Sequence, residues 1–194
     1  FKIDATPVDG EMTDLTRLGE IGKEGVKLLM CESTNVERPG FTPSEKKVGQ
    51  SLVRFFDEYK DKRIIISTFS SNVHRVQQVI DIAHKHGRKV AITGRSMINV
   101  VGAAVELGYM SFPEGVLVDI ADIKKYPPEK TTIISTGSQG EPMSALTRMA
   151  MSDHRKVSIV PGDTVIISAT PIPGNEKMVS KTIDNLMRLG ANVV

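Results

Sequence analysis

The sequence has a single cysteine, no tryptophan, and only 5% aromatic residues among its 194 positions. The one cysteine, Cys31, cannot form an internal disulfide, which favours a reducing compartment and therefore the cytoplasm. The scarcity of aromatic side chains leaves few platforms on which nucleobases could stack.

Charge and long apolar runs are equally sparse. Lys and Arg number 25 against 23 Asp and Glu, so the net charge is only +2 and no overall basic surface is expected. Any anion must therefore be bound by local groups. No apolar run approaches the roughly 18–20 residues of a membrane span, and no contact with a membrane is predicted. The first residue is Phe1 rather than Met, which predicts a piece of a longer protein.

Several signatures of well-known enzyme classes are missing from the sequence. There is no G-x-x-x-x-G-K-[ST] phosphate loop and no G-x-G-x-x-G after a predicted strand. Ser138 lies in G-S-x-G, which differs from the G-x-S-x-G of a nucleophile elbow. Four scattered histidines and one cysteine make no complete zinc site, and His154 is predicted to lie in a surface loop.

The dominant pattern is the alternation of short, β-branched apolar runs with amphipathic segments at helical spacing. It predicts an α/β fold with a mostly parallel, doubly wound sheet flanked by helices. Strands are predicted at 26–30, 63–67, 89–92, 131–134, 157–160, 164–168 and 192–194. Helices are predicted at 44–59, 72–86, 96–107, 142–149 and 175–189. The first 25 residues read as a lead-in to the first strand.

Four polar turns each join a predicted strand to the following helix. They lie at 67–75, 93–96, 135–142 and 168–175. In a parallel sheet such turns meet at the carboxyl edge, where Ser, Thr and Gly leave backbone N–H groups accessible. His74, Arg75 and Arg95 add cationic donors there, and the combination predicts a site for phosphate. Helix capping is the simpler interpretation of any single turn, but four turns on one edge favour a ligand cleft.

Two acidic residues have both a functional and a structural interpretation. Glu32 follows the predicted strand at 26–30 and is well placed to bind a metal ion. Glu45 begins a predicted helix, where a carboxylate also complements the helix dipole.

Six ordered motifs resemble the ribonuclease J family, the bacterial β-CASP members of the metallo-β-lactamase superfamily. They lie at 1–9, 32–45, 69–75, 94–97, 136–142 and 168–175. The resemblance covers essentially the whole chain. It implies that residues 1–40 are a short flank of the metallo-β-lactamase domain and that residues 41–194 form the β-CASP domain.

The same resemblance implies an activity. The family is a zinc-dependent ribonuclease, both a 5′-to-3′ exonuclease and an endonuclease, that acts in RNA processing and decay. The implied partners are single-stranded, 5′-monophosphorylated RNA, a metallo-β-lactamase domain in cis, and further copies of the full-length protein in a homo-oligomer. The implied cofactor is zinc, and the isolated chain is expected to be inactive.

Site residues are carried over from the resemblance position by position. Glu32 takes the place of a bridging metal ligand that is Asp in most members, and Glu45 takes that of a catalytic acidic residue. RNA or phosphate contacts are implied for Ser71, Asn72, His74, Arg75, Gly94, Arg95, Ser96, Gly137, Ser138, Gln139, Gly140 and Glu141. Two alternatives stay open: a non-catalytic ribonuclease J paralogue that acts as an assembly subunit, prompted by Glu32, and a small-molecule nucleotide-binding α/β domain.

Overall fold

The computed structural model describes residues 2–33, 36–37 and 39–194. Phe1, Thr34 and Asn35, which belong to two of the family motifs, lie outside the described residues. The helices are α1 Leu15–Glu24, α2 Glu45–Glu58, α3 Val73–Lys85, α4 Arg95–Glu106, α5 Ala145–Ala150 and α6 Glu176–Arg188, with short 3-10 turns at Ile123–Lys125 and Pro128–Lys130. The strands are β1 Ile64–Ser67, β2 Lys89–Thr93, β3 Thr131–Ser135, β4 Thr164–Ile167 and β5 Asn192–Val193.

These strands form one sheet in the order β2-β3-β1-β4-β5, and every pairing in it is parallel. Ile65 of β1 lies beside Ile133 of β3 and Val165 of β4. The predicted α/β fold with a doubly wound parallel sheet is therefore confirmed.

Helices cover both faces of the sheet, which explains why its central strands are apolar without alternation. On one face α2, α3 and α4 pack over Ile64 and Ile66, with Phe56 and Met97 fully buried. On the other face α5 and α6 pack over Ile65, whose side chain points the opposite way from its neighbours. Each such buried side chain stabilises the fold by about 1.5–3 kcal/mol relative to its exposed state.

A buried arginine lies at the amino edge of the sheet, where the strands begin. Arg88 is 2% exposed, and its guanidinium donates to four backbone carbonyls at 2.9–3.0 Å. The acceptors are Tyr59, Lys60, Lys62 and Thr131. Burial lowers the pKa of Arg88 from its ordinary value. One side chain thus ties the end of α2 to the starts of β1 and β3.

Two predicted strands are absent from the sheet. Residues 26–30 form no strand and are exposed, because no described strand pairs with them and an unpaired run cannot form a ladder. At 157–160, Val157 and Ile159 are buried, yet backbone groups of this segment form hydrogen bonds with side chains instead of with a neighbouring strand. The Ser158 carbonyl accepts from Arg63, and the Val160 N–H donates to Asp163.

The N-terminal region also differs from expectation, because α1 lies within the stretch predicted as a lead-in. Asp14 caps α1 by accepting a hydrogen bond from the Arg17 N–H at 2.8 Å, and no residue of this helix is buried. The predicted helix at 142–149 starts later, since Ser144 caps α5. No helix in the described ranges is long and apolar enough to cross a membrane.

The close packing of Gly140 against α6 generates a stability prediction. Gly140 has a φ of +71°, and an added Cβ would overlap the backbone of Met178 and lie 2.7 Å from the Val179 nitrogen. We expect Gly140→Ala to lower the free energy of unfolding by more than about 2 kcal/mol, measured by urea denaturation.

The control for this experiment is Gly162→Ala, at a φ of +91° with no atom within 4 Å of the added Cβ. It carries only the left-handed backbone strain, about 1 kcal/mol. Equal losses for the two variants would contradict the close approach of Gly140 to α6.

Candidate functional site

The carboxyl edge of the sheet carries a row of small polar residues. Ser67 lies beside Ser135, and Ser135 lies beside Thr93 in the next strand. All three are buried. Because the strands are parallel, the four polar turns that follow them meet at this edge, as the sequence predicts. The predicted site residues at this edge fall into separate groups.

The first group centres on an ion pair between Glu45 and Arg75. The Arg75 Nε and Nη2 donate to the two carboxylate oxygens of Glu45 at 2.7 and 2.8 Å. Its Nη1 donates to the Ser168 carbonyl at 2.6 Å. Both side chains are largely buried, at 13% and 14% exposure. A bidentate pair of this kind fixes the relative positions of the first turns of α2 and α3 and the end of β4.

The pairing leaves part of each side chain's hydrogen-bonding capacity unused. Three of the five guanidinium N–H donors of Arg75 are engaged. A carboxylate accepts about four hydrogen bonds, so Glu45 can take more than the two from Arg75. The direct phosphate contact of Arg75 and the catalytic role of Glu45 stay predictions.

A segment near the N-terminus adds a second carboxylate beside this pair. Asp4 accepts hydrogen bonds from the backbone N–H groups of Thr6 at 2.9 Å and Glu45 at 3.0 Å. These donors, the Thr6 N–H first, together with the nearby Lys2 ammonium, lower the pKa of Asp4 to about 2. The Lys2 Nζ lies 3.5 Å from Asp4 and 4.0 Å from Glu45. Residues 2–6 therefore brace the start of α2.

The start of α3 combines capping with exposed side chains. Asn72 caps the helix by accepting a hydrogen bond from the Arg75 N–H at 3.2 Å. Helix capping is the simpler interpretation that the sequence offered for this turn. His74 is half exposed, with its Nε2 3.3 Å from an Asp9 carboxylate oxygen. Ser71 is exposed. An RNA contact by these three residues stays a prediction.

The loop between β3 and α5 is joined to the loop after β4 through Gln139. The Gln139 amide is 2% exposed; it donates to the Thr170 carbonyl at 3.1 Å and accepts from the Ile172 N–H at 2.7 Å. Glu141 accepts from the Gln139 N–H at 3.2 Å. Gln139 therefore joins two loops, a role that the sequence did not predict.

The neighbours of Gln139 are also closely packed. Ser138 is buried, and the Gly140 N–H closes a turn on the Gly137 carbonyl at 3.1 Å. A Cβ at Gly137 would lie 3.0 Å from the Ser144 Cβ. Glycine at Gly137 and Gly140 thus serves the packing of this loop, while the phosphate contacts implied for this loop remain untested predictions.

A cleft of about 670 Å³ forms the second group, on the β2 and β3 side of the edge. It brings together Gly94, Arg95, Ser96 and Glu141, and it does not include Glu45. Gly94 has a φ of +102°, and the Thr136 side chain leaves no room for a Cβ there. Arg95 is exposed and makes no hydrogen bond or ion pair with any described residue.

No sequence motif indicated the other residues of this cleft, which include Thr93, Arg148 and His154. His154 was predicted to be a surface residue, but it is half-buried and its Nε2 lies 3.1 Å from the Thr93 hydroxyl. The two residues are 61 positions apart, and no motif links them. Only the fold brings them together.

Glu32 lies in a different cleft of about 790 Å³, lined also by Lys2, Phe69 and residues 170–173. Among the described residues, no group of three His, Cys, Asp or Glu side chains could hold a metal ion. A zinc site needs three or four such ligands. The described residues therefore do not fit a zinc ion by themselves.

Comparison with known proteins decides the family. The family described as ribonuclease J, beta-CASP domain matches residues 61–186. The chain belongs to this family. Over its full length it is 47% identical to ribonuclease J of Synechocystis sp., 46% to ribonuclease J of Thermus thermophilus and 44% to ribonuclease J2 of Bacillus subtilis. The resemblance noted from the motifs is thereby confirmed.

The chain spans about a third of the length of these curated relatives, between 30% and 35%. A crystal structure of a protein of unknown function from Enterococcus faecalis V583 superposes with a TM-score of 0.54 at 16% identity. That alignment covers 87% of this ribonuclease J domain and 39% of the other chain, and it supports the fold alone.

The environment of His154 predicts a pH dependence of stability. Burial lowers its pKa from the ordinary 6.5, and the nearby Arg148 and Lys156 lower it further, against Asp153. Below pH 6.5 the His154 imidazole therefore takes up a proton more readily in the unfolded chain than in the folded one. The contribution of His154 to the free energy of unfolding is complete above pH 6.5 and falls below it. We expect the free energy of unfolding in urea to fall between pH 7.0 and 5.5.

The variant His154→Asn, which keeps an acceptor near the backbone, should lose part of this pH dependence. His84→Gln, at an exposed position on α3, is the control and should retain it. An identical pH dependence in wild type and His154→Asn would contradict the assignment.

Proposed function

We propose that this chain is the RNA-holding β-CASP portion of a zinc-dependent ribonuclease that acts as a 5′-to-3′ exonuclease and an endonuclease in RNA processing and decay. One observation carries the proposal: the parallel sheet aligns the Arg95 and Gly137–Glu141 turns with the Glu45–Arg75 pair along one edge. Membership of the ribonuclease J β-CASP family supports it.

In this proposal the edge binds the backbone of single-stranded, 5′-monophosphorylated RNA. Arg95 has no partner among the described residues, so its guanidinium is available to a phosphate without first breaking an ion pair. Contacts to phosphate hold the strand in position but carry no sequence information. Such binding suits a nuclease that moves along its substrate.

Glu45 is the proposed catalytic residue, and Arg75 is proposed to hold it in place. The guanidinium keeps both carboxylate oxygens at fixed positions. The remaining acceptor capacity of Glu45 would receive a hydrogen bond from a reacting group. Arg75 can also reach a phosphate with its two unused N–H donors.

Zinc dependence rests on the family resemblance alone. Glu32 is the ligand that this chain would supply, and a metallo-β-lactamase domain in cis would supply the others. One carboxylate does not make a zinc site, so no catalytic step is derived through the metal. A cytoplasmic location and a homo-oligomer of the full-length protein are proposed on the same resemblance.

Glu32 also favours a second candidate, a non-catalytic paralogue that serves assembly. Its carboxylate is one methylene further from the backbone than that of the Asp implied at this position, which would change the metal distance. The third reading, a site for a small nucleotide, predicts a thermal shift with mononucleotides but none with RNA.

The full-length protein and the isolated chain are expected to differ in activity. We expect the full-length protein to contain zinc and hydrolyse 5′-monophosphorylated RNA, and the 194-residue chain to bind single-stranded RNA weakly and hydrolyse none. Zinc content and the release of nucleotides measure both. Zinc-dependent turnover by the isolated chain would overturn the division of roles.

An inert full-length protein would instead favour the assembly subunit. The variant Glu32→Asp then separates the two readings, because recovered hydrolysis identifies Glu32 as the cause. Continued inactivity of Glu32→Asp together with intact RNA binding would leave the assembly role as the function.

Another prediction concerns phosphate contacts. In the full-length protein we expect Arg95→Ala and Arg75→Ala each to weaken RNA binding and to reduce the slope of log K against log salt by about 1. Arg188→Ala is the control, because Arg188 is exposed at the end of α6, on the opposite edge of the sheet. Unchanged slopes for both site variants would exclude their phosphate role.

A further inference from the structure

We propose that the cleft between the start of α4 and α5 is a second phosphate subsite for the RNA backbone, in which Arg148 acts together with Arg95. The inference rests on the proposed function and deepens it, since it names a subsite remote from Glu32. The ligand class is an internal phosphodiester of a single-stranded ribonucleotide chain.

Arg148 lines the cleft and is held by one side of its guanidinium. Its Nε and Nη2 donate to the carboxylate and carbonyl of Asp153 at 3.2 and 2.9 Å. Its Nη1 has no hydrogen-bond partner within the described part of the chain. An arginine oriented in this way loses little conformational freedom when it binds a phosphate oxygen.

The charge of the cleft favours an anion. Arg95 and Arg148 both line it, whereas Glu141 is its one carboxylate among the described lining residues. His154 is uncharged near neutral pH because burial lowers its pKa. Two guanidinium groups and one carboxylate thus line a space large enough for a nucleotide phosphate, while Asp153, which does not line it, pairs with Arg148.

The base of the cleft supplies a hydroxyl donor. The Nδ1 of His154 accepts hydrogen bonds from the backbone N–H groups of Lys156 at 3.3 Å and Val157 at 3.0 Å. Nδ1 therefore carries no proton, and the proton on Nε2 is donated to the Thr93 oxygen. The Thr93 hydroxyl hydrogen is left to point at an acceptor. Thr93 is 6% exposed and lines the cleft.

The backbone at the start of α4 adds to this donor set. Gly94 is the N-cap of α4, and no side chain caps the helix there. Helix N-termini carry a partial positive charge, which supports an anion beside Arg95. Hydrogen-bond donors of Thr93, Arg95 and Arg148 therefore line the cleft, an arrangement that fits phosphate oxygens and not a cation.

The sheet order separates this cleft from the cleft that contains Glu32. The cleft lies at the ends of β2 and β3, whereas the Glu32 cleft includes Phe69 after β1 and residues 170–173 after β4. Of the strands concerned, β3 and β1 are neighbours, whereas β2 and β4 are three strand spacings apart, about 14 Å. A phosphate in the α4–α5 cleft therefore belongs to a nucleotide some distance along the strand from one beside Glu32.

The test uses the full-length protein and the variant Arg148→Ala. We expect about tenfold weaker binding of a 5′-phosphorylated 12-nucleotide RNA, with a similar rise in KM and an unchanged kcat. Arg155→Ala is the control, since Arg155 is exposed on the same loop but does not line the cleft.

A set of 12-nucleotide RNAs with one neutral methylphosphonate linkage locates the contact. In wild type, a methylphosphonate at one internal position should lower the affinity for RNA. The same substitution should cause no further loss in Arg148→Ala, because the variant and the neutral linkage remove the same interaction. Thr93→Val keeps the shape of the side chain but removes its hydroxyl. It should weaken RNA binding, and this loss should disappear only when that same linkage is neutral.

The outcomes distinguish this inference from the proposed function. If wild type binds RNA and Arg148→Ala matches Arg155→Ala, the subsite is wrong and the proposed function stands. Losses that add at every linkage would also overturn the subsite. If wild type binds no RNA at all, both the proposed function and the subsite fail.

Discussion

The parallel direction of the strands is the constraint on which the rest of this structure depends. Because β1 to β4 all run the same way, the ends of these strands and the starts of the helices that follow them meet at one edge. Polar turns from distant parts of the chain thereby become neighbours. The opposite edge receives the helix C-termini, and there the guanidinium of Arg88 satisfies four carbonyls. One edge is thus closed by internal bonding, and the other keeps groups that can bind a ligand.

The carboxyl edge carries two arginines, one that is held in an ion pair and one that has no partner among the described residues. Arg75 is committed to Glu45 and to the end of β4, so its charge serves the geometry of a carboxylate. Arg95 has no such commitment among the described residues. The two arginines looked equivalent in the sequence, since each follows a strand within a polar turn. Their difference comes from the position of α2, which brings Glu45 to only one of them.

Most of the fold could be predicted from the sequence, because short β-branched runs and helical spacing are local signals. Prediction failed where tertiary contacts decide. Residues 157–160 have the composition of a strand, but Asp163 and Arg63 capture their backbone groups. The helix α1 depends on the single cap at Asp14 within a polar stretch. In the site, the turns could be found individually, whereas Gln139 and the Thr93–His154 pair depend on contacts between distant segments.

The buried amide of Gln139 has a mechanical consequence. It bonds to the backbone of Thr170 and Ile172 and to the side chain of Asn175, so it spans the loop after β4. Displacing either loop alone would strand a buried amide without its partners, which costs about 1–3 kcal/mol for each unsatisfied group. The loops after β3 and β4 therefore move as one unit, and a displacement of the first is transmitted to the second. A force on either loop is thereby shared by both, and the shape of this edge is preserved.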